Sequence, residues 1–123
     1  MHDVVDALRA QQAELAGYVA HLDAQGLARP SRCPGWSVAD VDRIEINEAF
    51  AAIALACQRE LGFAEDIVNV EGGAIAHGHP IGATGAVLTT RLLHAMRRDG
   101  LRRGIVTLCI GGGQAVALAL ERV

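Results

Sequence analysis

The sequence predicts an α/β fold with helices packed on a mostly parallel sheet, and two observations point to it. From Arg43 onward, stretches of strand character alternate with stretches of helical spacing, in the order strand, helix, strand, helix, strand, strand. The chain is also rich in small apolar side chains, 51% hydrophobic overall but only 3% aromatic. Alanine, valine, leucine and glycine must then fill the interior, which suits close packing of helix on sheet. At 123 residues the chain holds one small domain or a piece of a larger one.

The first element runs from Asp3 to Gln25. Val4, Leu8, Leu15, Val19 and Leu22 recur at helical spacing, and Gly26 with Pro30 closes an amphipathic helix that needs a partner surface. Ala28 to Gly35 reads as a loop, and Ser37, with Asp40 three residues on, opens another helix. Arg43-Ile44-Glu45-Ile46 alternates with period two, as a short strand does. Asn47 is a good cap for an alanine-rich helix from Glu48 to Leu61, ended by Gly62. Cys57 falls on the apolar side of that helix.

Ile67 to Val70 reads as a second strand, followed by a glycine-rich loop from Glu71 to Pro80. A helix from Ala83 to Arg98 presents Val87, Leu88, Leu92, Leu93 and Met96 as its apolar surface, and Gly100 ends it. Ile105 to Ile110 is a continuous apolar run, the pattern of a strand buried on both faces. After three glycines, Gln114 to Leu120 forms an antiparallel neighbour.

The formal net charge is −3, so no basic footprint points to nucleic acid. Cys33, Cys57 and Cys109 are an odd number in no disulfide or metal spacing, which fits a reducing compartment. The residues after Met1 show no basic region leading into an apolar stretch, so no signal peptide is expected. Ile105 to Leu120 is broken by glycines and too short to span a bilayer. The expectation is a cytoplasmic protein without membrane or nucleic-acid partners.

Three places combine a reactive side chain with glycine or a helix start: Asn47-Glu48-Ala49-Phe50, the run from Gly72 through His77, His79 and Pro80 to Gly85, and Cys109-Ile110-Gly111-Gly112-Gly113. Glycines beside a functional group let substrate approach the backbone and leave N–H groups free to hold an oxyanion. His77 and His79 form a His-x-His pair, but no third metal ligand stands near them. Arg91, Arg97, Arg98, Arg102 and Arg103 are explained by a solvated helix end.

In this order the three motifs resemble the C-terminal signatures of thiolases, over about Val41 to Val123. The resemblance implies acyl transfer between coenzyme A thioesters, with an acyl-CoA as substrate and no further cofactor. It implies that Cys109 moves the α-proton of the acceptor thioester, and that His79 activates a nucleophilic cysteine and helps hold the thioester oxygen. It further implies that Asn47 positions a water in the same oxyanion hole, that the Gly111 N–H lies in a second hole, and that Phe50 lines the acyl pocket. Ala115 stands where the family usually has glycine, and Glu71 where it commonly has asparagine.

A thiolase is two copies of one layered fold, and nothing here matches the copy carrying the nucleophile. The second copy also lacks its opening strand and helix before Val41. That strand is expected mid-sheet, so its loss would leave a hole. Residues 1–40 instead resemble the start of mycothiol-dependent maleylpyruvate isomerase domains of the DinB-like type, through Arg29 to Val41 with Cys33-Pro34-Gly35-Trp36. Ile44 stands where that family has a metal-binding histidine, so its metal site does not carry over.

The expected organisation is therefore a DinB-like helix-loop segment over 1–40 and a thiolase C-terminal domain over 41–123, inactive alone. A thiolase N-terminal half or a second copy is the expected partner. A non-enzymatic remnant acting through association is the alternative, and a DinB-like thiol-dependent isomerase fragment a weaker one.

Overall fold

The structure is a computed structural model that describes residues 35–123. The expected helix from Asp3 to Gln25, its packing and the loop cysteine Cys33 lie outside the described residues. Three strands form one sheet in the order β1-β2-β3, with β1 at Arg43–Ile46, β2 at Arg103–Gly111 and β3 at Gln114–Glu121. β1 runs parallel to β2, from Arg43 opposite Gly104 to Ile46 opposite Thr107. β3 returns antiparallel along β2. The α helices are α1 at Ala51–Leu61, α2 at Ala74–His77 and α3 at Thr84–Arg98.

Alternation along β1 sorts its side chains to two faces. Ile44 and Ile46 join Val41 and Ala54 of α1 in one apolar cluster, against which Cys57, Phe63 and Ile105 pack. On the other face Leu88, Leu92 and Met96 of α3 meet Val106 of β2, with Leu101 and Leu120 beside them. Leu88 and Leu92 are wholly buried, each stabilising the fold by about 1.5–3 kcal/mol. Gly104 makes this contact close, because a Cβ there would stand 2.8 Å from Leu92 Cδ1 and Met96 Sδ. Arg43 and Glu45 share this face, and Arg43 Nη2 donates to Asp99 Oδ2 at 3.1 Å.

Several expectations need correction. The helix opened by Ser37 is a single 3₁₀ turn, Val38–Asp40, in which Ser37 N and Oγ both donate to Asp40 Oδ2. The strand expected at Ile67 to Val70 reduces to one parallel bridge, Ile44 to Val68, preceded by a 3₁₀ turn at Glu65–Ile67. Asn69 ends it, since its φ of 46° leaves the extended region. The sheet accordingly has one parallel and one antiparallel strand pair. The loop after Val70 contains α2, a short helix that the glycines concealed.

The hole expected from a missing central strand is not there. β1 pairs directly with β2 along its whole length, so nothing is absent between them. β2 is less enclosed than its apolar run suggested: Ile110 is exposed, as are Val116 and Leu118 on β3. Among the described residues no helix covers that end of the hairpin. Leu93, counted with the apolar surface of α3, is also exposed.

Candidate active site

Parallel α/β sheets present ligands at the carboxyl ends of their strands, and the expected site residues gather there. Asn47 directly follows β1 and extends the ladder, its N–H donating to Thr107 O at 2.9 Å. That bond holds it in the sheet, so it does not cap α1. The helix begins later, at Ala51, with Phe50 as its N-cap. The Asn47 side chain is 1% exposed, and its Nδ2 lies 3.4 Å from Nε2 of His79.

His79 sits between α2 and α3. Its other ring nitrogen, Nδ1, is 2.7 Å from Thr84 Oγ1, which itself lies 3.0 Å from Pro80 O. The loop folds back on Pro80, whose carbonyl also accepts from the N–H groups of Ala83 and Thr84. The imidazole is thus gripped at both nitrogens, which leaves neither free for a metal. Among the described residues no cluster of three metal-capable side chains exists.

Three residues that sequence reasoning passed over set this geometry: Glu48, Asn69 and Thr84. The Glu48 carboxylate accepts from Asn69 Nδ2 and from the Ile75 N–H, each at 3.0 Å. It thereby ties the turn after β1 to the start of α2. Gly73 leaves room for this crossing, because a Cβ there would come within 2.1 Å of Glu48 Cδ and push the carboxylate off its two partners. Asn69 was legible in part, as asparagine is enriched at positive φ. Thr84 carried no signal beyond its place in the glycine-rich run.

Arg91 of α3 braces the same loop. Its Nη2 donates to Gly72 O at 2.7 Å, and its Nε lies 3.6 Å from Glu45 Oε2. Burial pushes the Glu45 carboxyl above its ordinary value, against the pull of Arg91. The remaining arginines are mostly paired: Arg98 with Asp99 and Glu71, and both Arg102 and Arg103 with Glu121.

Cys109 is a half-buried free thiol near the end of β2. Continuing the register of Ile46 opposite Thr107 sets Asn47 level with Leu108, so Cys109 stands one residue, about 3.3 Å, further along the strand. A register shift separates Cys109 from Gly111, and a bulge of this kind re-aims the chain at a strand end. Gly111, Gly112 and Gly113 all have positive φ, at 109°, 59° and 75°. Ala115, the departure from the family pattern, is the residue opposite Cys109. Phe50 is 63% exposed and meets no pocket wall among the described residues that would enclose it. The structure thus brings Asn47, His79 and Thr84 into direct contact and sets Cys109 and Gly111 at the neighbouring strand end. An imidazole and a buried amide can move a proton and stabilise an oxyanion.

Comparison with known proteins agrees with the fold and with the family that the motifs resemble. The family model described as thiolase, C-terminal domain, matches residues 27–122. An acetyl-CoA acetyltransferase of Chromobacterium violaceum is 60% identical over 88 residues, which is 72% of this chain and 22% of that protein. The cytosolic acetyl-CoA acetyltransferase of Rattus norvegicus is 52% identical over 88 residues, again 72% of this chain and 22% of its own length. The crystal structure of the Bacillus anthracis acetyl-CoA acetyltransferase superposes with a TM-score of 0.68 at 52% identity, covering 70% of this chain and 22% of that one. The chain spans about a fifth of the length of the curated relatives it matches. With the fold, the order of the motifs and the family match in agreement, the chain belongs to the thiolase C-terminal domain family.

Proposed function

We propose that this chain supplies the proton-transfer and oxyanion half of a thiolase-type site, which moves acyl groups between coenzyme A thioesters. The observation that carries this reading is the contact of Asn47 with His79 across two separate motifs, at the end of the strand beside Cys109. In this reading Cys109 takes the α-proton of the acceptor thioester. His79 activates the nucleophilic cysteine of the other half and shares the thioester oxygen with a water held by Asn47. The Gly111 N–H serves a second oxyanion hole, and Phe50 becomes a wall of the acyl pocket once the other half covers it. A coenzyme A thioester is the substrate and no further cofactor is needed.

The nucleophile must come from a thiolase N-terminal half, which the exposed Phe50, Ile110 and Val116 are suited to meet. The location we infer is the cytoplasm. The Rattus norvegicus relative is named as cytosolic. The boundary we favour lies near residue 41, with 1–40 as a separate segment. The family match starts earlier, at residue 27, so the two can be told apart by deleting residues 1–26 and 1–40 and comparing stability.

The test is thiolysis of acetoacetyl-CoA by coenzyme A, with the chain alone and mixed with the separately produced N-terminal part of a related acetyl-CoA acetyltransferase. Activity in the mixture only, abolished by Cys109→Ala, is the expected result. Cys33-dependent turnover by the chain alone would overturn it. A stable mixture with no turnover favours the second reading, association without catalysis, which the exposed apolar residues of the β2-β3 hairpin motivate.

A further inference from the structure

We propose that Thr84 is a positioning residue that holds His79 in its Nδ1-protonated tautomer, so that Nε2 is the basic nitrogen. The inference rests on the thiolase-type reading for its purpose, but its evidence is the hydrogen-bond chain itself.

The Thr84 hydroxyl has one proton and two acceptors within reach: Pro80 O at 3.0 Å and His79 Nδ1 at 2.7 Å. Thr84 is 1% exposed, so no bulk water relieves the choice. If the proton goes to Pro80, Nδ1 must carry its own hydrogen and donate it to Oγ1. Nε2 is then an acceptor, and the Asn47 amide correctly points an Nδ2–H toward it. The one atom of this group left without a partner is Asn47 Oδ1.

The opposite arrangement sends the hydroxyl proton to Nδ1. Nε2 then carries the hydrogen, and Asn47 must turn its oxygen to the ring. Its NH₂ would take the place of Oδ1, a buried position without a partner. Folded proteins leave carbonyl oxygens under-satisfied more readily than they orphan N–H groups. The first arrangement therefore prevails. It is also the useful one: a ring nitrogen that takes a proton from a thiol must begin without one, and the bond at the other nitrogen decides which that is.

The experiment is nitrogen NMR of the full chain labelled in histidine, at alkaline pH. The His79 signals are assigned by their absence from His79→Gln. The wild type should show a protonated Nδ1 and an unprotonated Nε2. Thr84→Val keeps the side-chain shape without the hydroxyl and should reverse that pattern, and Thr84→Ser should restore it. In the reconstituted thiolysis assay Thr84→Val should lower kcat about tenfold or more with KM little changed.

A wild-type spectrum with the proton on Nε2 would overturn the proposal, as would a Thr84→Val spectrum that keeps it on Nδ1. Should the valine variant not fold, the wild-type and serine spectra decide alone. Absence of thiolysis would count against the functional reading and leave the tautomer as the spectrum reports it.

Discussion

Asn69 uses its side-chain amide as a piece of backbone: its Oδ1 accepts from the Ile46 N–H at 2.8 Å and its Nδ2 donates to the Ile46 carbonyl at 2.9 Å. Strand pairing beside β1 thus continues one residue past the Val68 bridge, although the main chain has already turned away at φ 46°. The same Nδ2 reaches the Glu48 carboxylate. One residue therefore fixes both the edge of β1 and the bracket that positions α2.

Replacing Asn69 with alanine should lower stability by about 2–4 kcal/mol, because it leaves both polar groups of Ile46 without their partner. Asn69→Gly should recover only the backbone strain of the alanine variant, about 1 kcal/mol. Urea denaturation of the three proteins measures both differences.

Gly104 and Gly82 make a contrasting pair. A Cβ at position 104 would press on Leu92 and Met96, whereas at position 82 it would meet nothing within 4 Å. Gly104→Ala should cost about 1–3 kcal/mol through overpacking, and Gly82→Ala should change stability little. Thermal melts of the two variants decide it.

Much of this architecture could be read from the chain alone. Arg43 to Ile46 alternates strictly and forms the strand expected of it, and the glycines after Cys109 mark the hairpin between β2 and β3. What escaped was structure made by side chains rather than by pattern. The supposed strand from Ile67 to Val70 has the right composition, but Asn69 diverts its backbone in order to bond β1 with an amide. Asn47 looks like a helix cap because asparagine before an alanine-rich run usually is one, yet the sheet claims its backbone and His79 its side chain. Glu48 looked like an ordinary first-turn helix residue. Its role depends on Gly73 and Ile75, more than twenty residues away, and no local spacing reports such a pairing.

Stability should depend on pH with two opposed contributions. The Glu45 carboxyl is raised by burial, so its protonated form suits the fold. Its contribution is full below the ordinary glutamate value and is lost as pH rises through the raised one. Asp99 and Glu121 are lowered, chiefly by hydrogen bonds from Arg98 and Arg103 respectively. Their contributions are present above the ordinary carboxylate range and lost as pH falls through the lowered values. Glu45→Gln should flatten the alkaline side of the profile and leave the acid side intact, as denaturation midpoints from about pH 3 to 8 would show.

The Cys57 thiol, packed beneath α1, is pushed up by burial. Alkylation with iodoacetamide, read residue by residue by mass spectrometry, should show Cys57 reacting only at pH values above those at which a free thiol reacts, about 8.5. Reaction of Cys57 at or below the free-thiol value would mean that α1 is not seated as described.

Gly112 and Gly113 both have positive φ, the geometry of a tight two-residue turn whose twist matches its strands. The hairpin they close pairs residues near in sequence, so it forms within microseconds once made. β1 has no such neighbour: apart from the Val68 bridge and the Asn69 amide, it waits for a strand partner about sixty residues further on, and the Asn47 N–H waits for the carbonyl of Thr107. During synthesis, then, the motif translated first is organised last. A ribosome-bound chain halted before Arg103 would carry Asn47 and His79 in full, with no second strand to hold Asn47 in place.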